Sequence, residues 1–341
     1  MSAQERTANA PPTVISLQHV HKTYAQWQRS GETQNVLLNL LRPEKRIIQA
    51  LDDVSFTVER GELVAYAGAN GAGKSTTLKM MAGMLQQESG NISVLGMDPL
   101  RQRQALMHRL GVLFGNRTEL WWDHPIQTSF EWKKVVWNIP DDLYKRNLAE
   151  VTELLDIADL LKTFARELSL GQRMRADLAM LLLHSPELII LDEPTLGLDV
   201  LSKRRMIDFL QQLNRERGVT IIITSHDIDD LEAMAKRIIL LSNGTLAFDG
   251  SFEQLRQVGN FRRRLILTTA HTTAPELASA QLVESRETIH EYEYNPAQVP
   301  LQQLLTELGQ HDEILDIETG KAPIEEVVAA LYQQWRDTQP K

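Results

Sequence analysis

Gly68-Ala69-Asn70-Gly71-Ala72-Gly73-Lys74-Ser75 satisfies the pattern G-x-x-x-x-G-K-[ST] at every position. Glycines let backbone N–H groups wrap a polyphosphate, the lysine reaches its terminal phosphates, and the serine hydroxyl suits Mg²⁺. A glycine-rich turn with an incidental lysine is the other meaning of such a run; its place between a strand and a helix argues against that. Leu188-Ile189-Ile190-Leu191-Asp192-Glu193 supplies the complement, an apolar strand with two carboxylates at its C-terminal end. Ligands collect at that end of the strands in parallel sheets. Asp192 is suited to orient Mg²⁺ through water. Glu193 points elsewhere and can polarise a water attacking a γ-phosphate. His226 closes the strand after Ile221-Ile222-Ile223. A histidine there is commonly structural, but here it can reach the same pocket, which favours a γ-phosphate contact.

A second phosphate-handling segment stands further along. Leu168-Ser169-Leu170-Gly171-Gln172 is small and uncharged, and it precedes a helical pattern. Ser169 has the chemistry of an N-cap, and a helix start attracts anions. One chain therefore carries two such segments, far apart in sequence.

The elements that must hold these residues follow from hydrophobic period and turn chemistry. Strands are expected over Val14–Tyr24, Ala50–Val58, Glu62–Gly68, Leu110–Phe114, Glu187–Glu193 and Gly218–His226, and helices after Gly73 and over Leu201–Arg217. The stretch from about Thr128 to Leu183 is helix-rich. Asn243-Gly244 marks a hairpin turn within Arg237–Gly250. Buried strands alternating with helices predict an α/β domain on a mostly parallel sheet. Ala25–Gln49 reads as an insertion; its apolar Val36–Leu41 and basic Arg42, Lys45 and Arg46 suit either a lid on the sheet edge or a short helix at a membrane surface. Beyond Phe261 the pattern becomes strand, short helix, strand, strand, helix, strand, helix, which predicts a small ferredoxin-like α+β unit.

In order and spacing, GANGAGKST (Gly68–Thr76), LSLGQ (Leu168–Gln172), LIILDEP (Leu188–Pro194), LGLD (Leu196–Asp199) and Ser225-His226 resemble the ATP-binding subunits of ABC transporters across residues 14–255. A P-loop alone fits many NTPases; a signature segment between it and the Asp-Glu strand is specific to this family. The resemblance implies a P-loop NTPase of ABC type with a helical subdomain at about 115–183. It implies binding and hydrolysis of ATP with Mg²⁺, with Lys74, Glu193 and His226 catalytic. It also implies a head-to-tail dimer in which Ser169, Gly171 and Gln172 of one chain cover ATP held by the other. That would explain the two segments. ATP would be held by Gly68, Asn70, Gly71, Ala72, Gly73, Lys74, Ser75 and Thr76, with Tyr24 stacked on adenine and Asp199 coupling the two sites. Mg²⁺ would be held by Ser75, Asp192 and Asn116. Two positions depart from the family: Leu170 stands where a glycine is usual, and Asn116 where a glutamine is usual. Trp121 and Trp122, just after Asn116, are either core or part of a docking surface. The loop and the insertion are similar to the drug- and polymer-export branch, whose pore is a separate permease subunit.

Composition bounds these readings. The 341 residues suit two domains, expected at 14–258 and 262–341 after a disordered lead-in of 1–13. No apolar run is long enough to span a bilayer and the N-terminus has no signal-like region, so a soluble intracellular protein is expected; the resemblance implies a peripheral place on the cytoplasmic membrane face. With no cysteine, disulfides and thiolate metal sites are excluded. A net charge of -9 argues against nucleic acid as a partner. Two rival readings are a non-transport ABC ATPase acting on ribosomes or nucleic acid, and a regulatory module that binds nucleotide without turnover. The single cassette and the absence of zinc cysteines weigh against the first, and intact Lys74, Glu193 and His226 against the second.

Overall fold

The structure, a computed structural model, describes residues 12–28, 44–115, 117–258, 263–295, 298–311, 313–320 and 324–338. The chain divides into two compact units, Met1–Gly250 and Ser251–Lys341.

The first unit is built on two sheets. β1 (Thr13–Gln28), β2 (Glu44–Glu59) and β4 (Ser89–Val94) form an antiparallel sheet in the order β2-β1-β4. The larger sheet has the order β5-β6-β7-β3-β8-β9, from β5 (Leu110–Phe114), β6 (Leu188–Asp192), β7 (Thr220–Thr224), β3 (Leu63–Gly68), β8 (Arg237–Ser242) and β9 (Thr245–Ser251). Its strands from β5 to β8 are parallel. Val64, Ile190, Ile222 and Ile239 of this sheet share one buried core with Ile15, Val54 and Val94 of the smaller one. The helices are α1 (Lys74–Met81), α2 (Arg103–Met107), α3 (Ile126–Val136), α4 (Asp141–Leu154), α5 (Leu170–Leu182), α6 (Val200–Arg217) and α7 (Ile228–Met234). Among the described residues no helix is long and apolar enough to cross a membrane.

Every residue of β7 is buried, which explains its run of isoleucines; a strand covered on both faces has no reason to alternate. The Asn243-Gly244 turn forms as its sequence requires, with φ of 48° and 81°. The expected insertion is corrected at both ends. Ala25–Gln28 continue β1 and Glu44–Gln49 begin β2, with Gln26 opposite Arg46 and Trp27 opposite Lys45. Lys45 and Arg46 therefore belong to a strand rather than a helix, because the hairpin ladder extends them past the sheet. Val36–Leu41 and Arg42 lie outside the described residues. The antiparallel sheet and β4 carried too weak a signal to be expected: in SGNISV only Ile92 and Val94 are buried.

The second unit opens with α8 (Phe252–Val258), which the sequence division leaves in the first domain. Its antiparallel sheet, β11-β12-β10-β13, uses β10 (Arg263–Thr269), β11 (Gln281–Arg286), β12 (Ile289–Tyr294) and β13 (Ile314–Gly320). Its other helices are α9 (Leu301–Leu308) and α10 (Ile324–Thr338). The strands follow the expected order, but the short helix expected between the first two does not form. Pro275 and paired threonines disfavour a helix in that stretch, and the Pro275 carbonyl accepts instead from the buried Tyr292 hydroxyl at 2.5 Å.

Core packing makes a direct prediction. Ile222 on β7 is fully buried, whereas Val135 on α3 is 76% exposed. Ile222→Ala should cost about 2–5 kcal/mol in chemical denaturation and Val135→Ala under about 0.5. Equal losses would contradict the placement of the core.

Candidate nucleotide site

The P-loop leaves β3 at Gly68 and enters α1 at Lys74. Gly71 and Gly73 have φ of 81° and 105°, a backbone that side chains resist. A Cβ on Gly68 would lie 2.7 Å from the Leu241 carbonyl, and one on Gly73 would meet the Ala50 carbonyl and the Leu51 side chain. The hairpin turn braces the loop: Gly244 N–H donates to the Ala72 carbonyl at 3.2 Å, and Asp52 N–H to the Gly244 carbonyl at 2.8 Å. Lys74 is buried and donates to the Gly68 carbonyl at 2.6 Å. Burial lowers its pKa, while Glu193 and Asp192 pull it back up. The two carboxylates thus favour its charged form.

Parallel register delivers those carboxylates. Phe114, Asp192 and Thr224 stand in one row across β5, β6 and β7. Ser75 Oγ donates to Asp192 Oδ2 at 3.3 Å, and Thr224 Oγ1 to Asp192 Oδ1 at 2.7 Å. A hydroxyl and a carboxylate at this spacing form an oxygen donor set suited to a hard divalent cation such as Mg²⁺. Glu193 follows with φ of 58°, a left-handed backbone that is costly for a glutamate. Its N–H is held by the Thr224 carbonyl at 3.1 Å and Thr224 Oγ1 at 3.0 Å. The turn brings Glu193 Oε1 to 2.8 Å from His226 Nε2. Thr224 was missed in the sequence; its signal was a hydroxyl at the C-terminal end of the isoleucine run, in the row of Asp192.

Tyr24 reaches this region from β1, its hydroxyl 3.4 Å from Thr76 Oγ1 and its ring partly exposed. Asn70 is exposed at the loop tip. Asn116 lies outside the described residues.

The second segment stands apart. Ser169 is the N-cap of α5 and Gln172 completes a capping box: Gln172 N–H donates to Ser169 Oγ at 3.3 Å, and Ser169 N–H to Gln172 Oε1 at 2.9 Å. Leu170 opens α5 without a positive φ, so this position does not need a glycine backbone. Its Cδ2 lies 2.8 Å from where a Cβ on Gly197 would stand, filling space beside a left-handed turn. Asp199 caps α6, accepting from Ser202 N–H at 2.9 Å and Ser202 Oγ at 2.7 Å, bonds that lower its pKa. Ser169, Gly171, Gln172 and Ser202 line one concavity of about 450 Å³, and no P-loop residue borders it.

A larger cavity, about 1000 Å³, runs from Ser75 and Asp192 past Phe114 and Arg117–Glu119 to Lys133 on α3 and Trp137 just beyond it. Trp121 and Trp122 are exposed, at 38% and 50%, so of the two expectations they fit the surface rather than the core. Trp121 packs 5.6 Å from the Trp132 ring, and Arg173 lies 4.7 Å from the Trp122 ring.

The site is thus a P-loop facing two strand-end carboxylates, with a capped helix start elsewhere on the chain. The family described as ABC transporter matches residues 51–196. The ABC transporter ATP-binding protein NatA of Bacillus subtilis is 32% identical over 212 residues, 62% of this chain and 86% of that protein. The bacitracin transport ATP-binding protein BcrA of Bacillus licheniformis is 28% identical over 274 residues, 80% of this chain and 86% of that one. A dimeric ATP-binding cassette in a post-hydrolysis state, bound to ADP and Pi, shares the fold with a TM-score of 0.57 and 23% identity, covering 70% of this chain and 98% of that one. The chain belongs to the ABC transporter ATP-binding proteins and is an ATPase of that family.

The glycine geometry predicts an ordering. A left-handed backbone costs an L-residue about 1–2 kcal/mol. Gly71→Ala meets open space and should incur little more than that, while Gly73→Ala adds a collision with the Ala50 carbonyl. Gly73→Ala should lower the melting temperature further and abolish ATP binding. Equal effects of the two variants would refute this account of the loop.

Proposed function

We propose that this chain is the ATP-hydrolysing subunit of an exporter, driving a separate membrane permease from the cytoplasmic face as a head-to-tail homodimer. The observation that carries the reading is the separation of the two phosphate-facing segments. A capped helix start with no P-loop residue beside it is a half-site that a second copy completes.

The P-loop N–H groups from Gly68 to Thr76 cradle the phosphates of ATP, and Lys74 reaches the β- and γ-phosphates. Tyr24 stacks on adenine. Ser169, Gly171 and Gln172 of the other chain cover the γ-phosphate, adding the positive end of α5. Asp199, at the start of α6 beside the signature, couples the two sites. Ser75 and Asp192 would hold Mg²⁺, together with Asn116. Bound there, the ion would neutralise charge on the β- and γ-phosphates. Glu193 accepts a proton from the attacking water, and His226, 2.8 Å away, keeps that carboxylate aimed while contacting the γ-phosphate. The cavity beside Arg117–Glu119 and α3 supports contact with a permease, as do the exposed Trp121 and Trp122 on the same loop. Similarity to a protein named for bacitracin transport supports a drug-like cargo.

Glu193→Gln should keep ATP binding, lose turnover by about 10²–10⁴-fold and accumulate as an ATP-bound dimer. Phosphate release assays and size-exclusion chromatography with ATP check both effects. Turnover near that of the parent would remove Glu193 from the reaction.

A further inference from the structure

The segment after β5 is fastened to α5 on both sides of its cap. At the near end Asp177 is buried on α5 and accepts from Thr118 Oγ1 at 2.9 Å and from Glu119 N–H at 3.2 Å. Thr118 Oγ1 accepts in turn from Leu120 N–H at 3.1 Å. At the far end the Trp122 carbonyl accepts from Arg166 N–H at 3.1 Å, and the His124 carbonyl from Ala165 N–H at 3.1 Å. Asp123 pairs with Arg166 at 2.6 Å, and the Trp122 ring carries the Arg173 guanidinium at 4.7 Å. One loop thus grips the residues before Ser169 and the helix after it.

Asp177 is the member with most at stake. A surface pair can open at little cost, but a buried carboxyl stripped of its donors cannot. α5 is a continuous helix, so Asp177 holds Ser169 rigidly about 12 Å along the axis. We propose that Asp177 is a positioning residue that makes the loop after β5 and the signature end of α5 move as one body. The loop borders the site of this chain's own P-loop, and Ser169 serves the other chain's nucleotide. Displacing the loop at one site would then re-aim the cap at the other. This rests on the shared-site reading above.

The acceptor oxygen is what the role requires. Burial pushes the Asp177 carboxyl up to about 7, opposed by its bonds from Thr118 and Glu119; the charged groups facing it are Glu119, Arg173 and Lys133. A neutral acceptor of the same shape should therefore serve, so Asp177→Asn is the conservative variant and Asp177→Leu the deletion. Thr118→Val removes one donor from the other side.

The test uses the full chain in the Glu193→Gln background. ATP affinity is measured with a fluorescent ATP analogue at protein concentrations below dimerisation, and the ATP concentration for half-dimerisation by light scattering. Asp177→Leu should bind the analogue within about twofold of the parent yet need about tenfold more ATP to dimerise, a tenfold change being a modest coupling. Asp177→Asn should fall within about threefold of the parent, and Thr118→Val between the two. Dimerisation of Asp177→Leu at the parent's ATP concentration overturns the proposal, as does an Asn variant as impaired as Leu. If the Leu variant does not fold, parent-like dimerisation of Thr118→Val overturns it. Failure of the Glu193→Gln parent itself to dimerise with ATP overturns the shared-site reading, and this inference with it.

Discussion

The register of one parallel sheet decides where every reactive side chain lies. Phe114, Asp192 and Thr224 fall in a single row across β5, β6 and β7, and Gly68 leaves β3 near the same edge. A slip of one residue in β6 would turn Asp192 to the opposite face and break its bonds to Ser75 and Thr224. The core enforces the register, because β7 is buried along its whole length and β6 along all but its last residue. Thr224 converts that alignment into chemistry. Its hydroxyl binds Asp192, its carbonyl and hydroxyl hold the Glu193 N–H, and the left-handed turn at Glu193 is stabilised by both.

Around that edge the chain spends few residues on the nucleotide and many on aiming. The Asn243-Gly244 turn holds Ala72, the capping box fixes the start of α5, and Asp199 fixes the start of α6. Asp177 and the loop from Thr118 to His124 join the edge of the sheet to α5. The resulting body presents a nucleotide cradle at one place and a helix start at another. That arrangement is what the proposed dimer rests on, with each half-site completed by the second chain.

The P-loop, the Asp-Glu strand and the capped signature were legible because each is a local pattern. Glycines at fixed offsets, a carboxylate after four apolar residues and a serine three residues before a glutamine need only their neighbours to be understood. The strands of the parallel sheet were legible for the same reason. Thr224, Asp177 and Thr118 were not, because each earns its role from a partner on another element: Thr118 reaches Asp177 across 59 positions, and Thr224 reaches Asp192 across 32. The insertion was misjudged at its ends because hairpin pairing, a tertiary matter, extended Gln26 and Arg46 into a ladder. The helix expected after β10 lost to Pro275 and to a bond from Tyr292 that only the fold supplies. The leucine in the signature posed a difficulty in sequence that the structure removes, since Leu170 has an ordinary helical backbone.

The central claim is that one catalytic site is shared between two chains. The protein has no cysteine, so single thiols can be placed without background. Asn70→Cys in one population and Leu170→Cys in another, both in the Glu193→Gln background, are mixed with a short bis-thiol crosslinker. The account predicts covalent dimers in the mixture that require ATP, and no internal crosslink in a dilute chain carrying both cysteines. An internal crosslink in that single chain, or no crosslink between chains with ATP present, would contradict it.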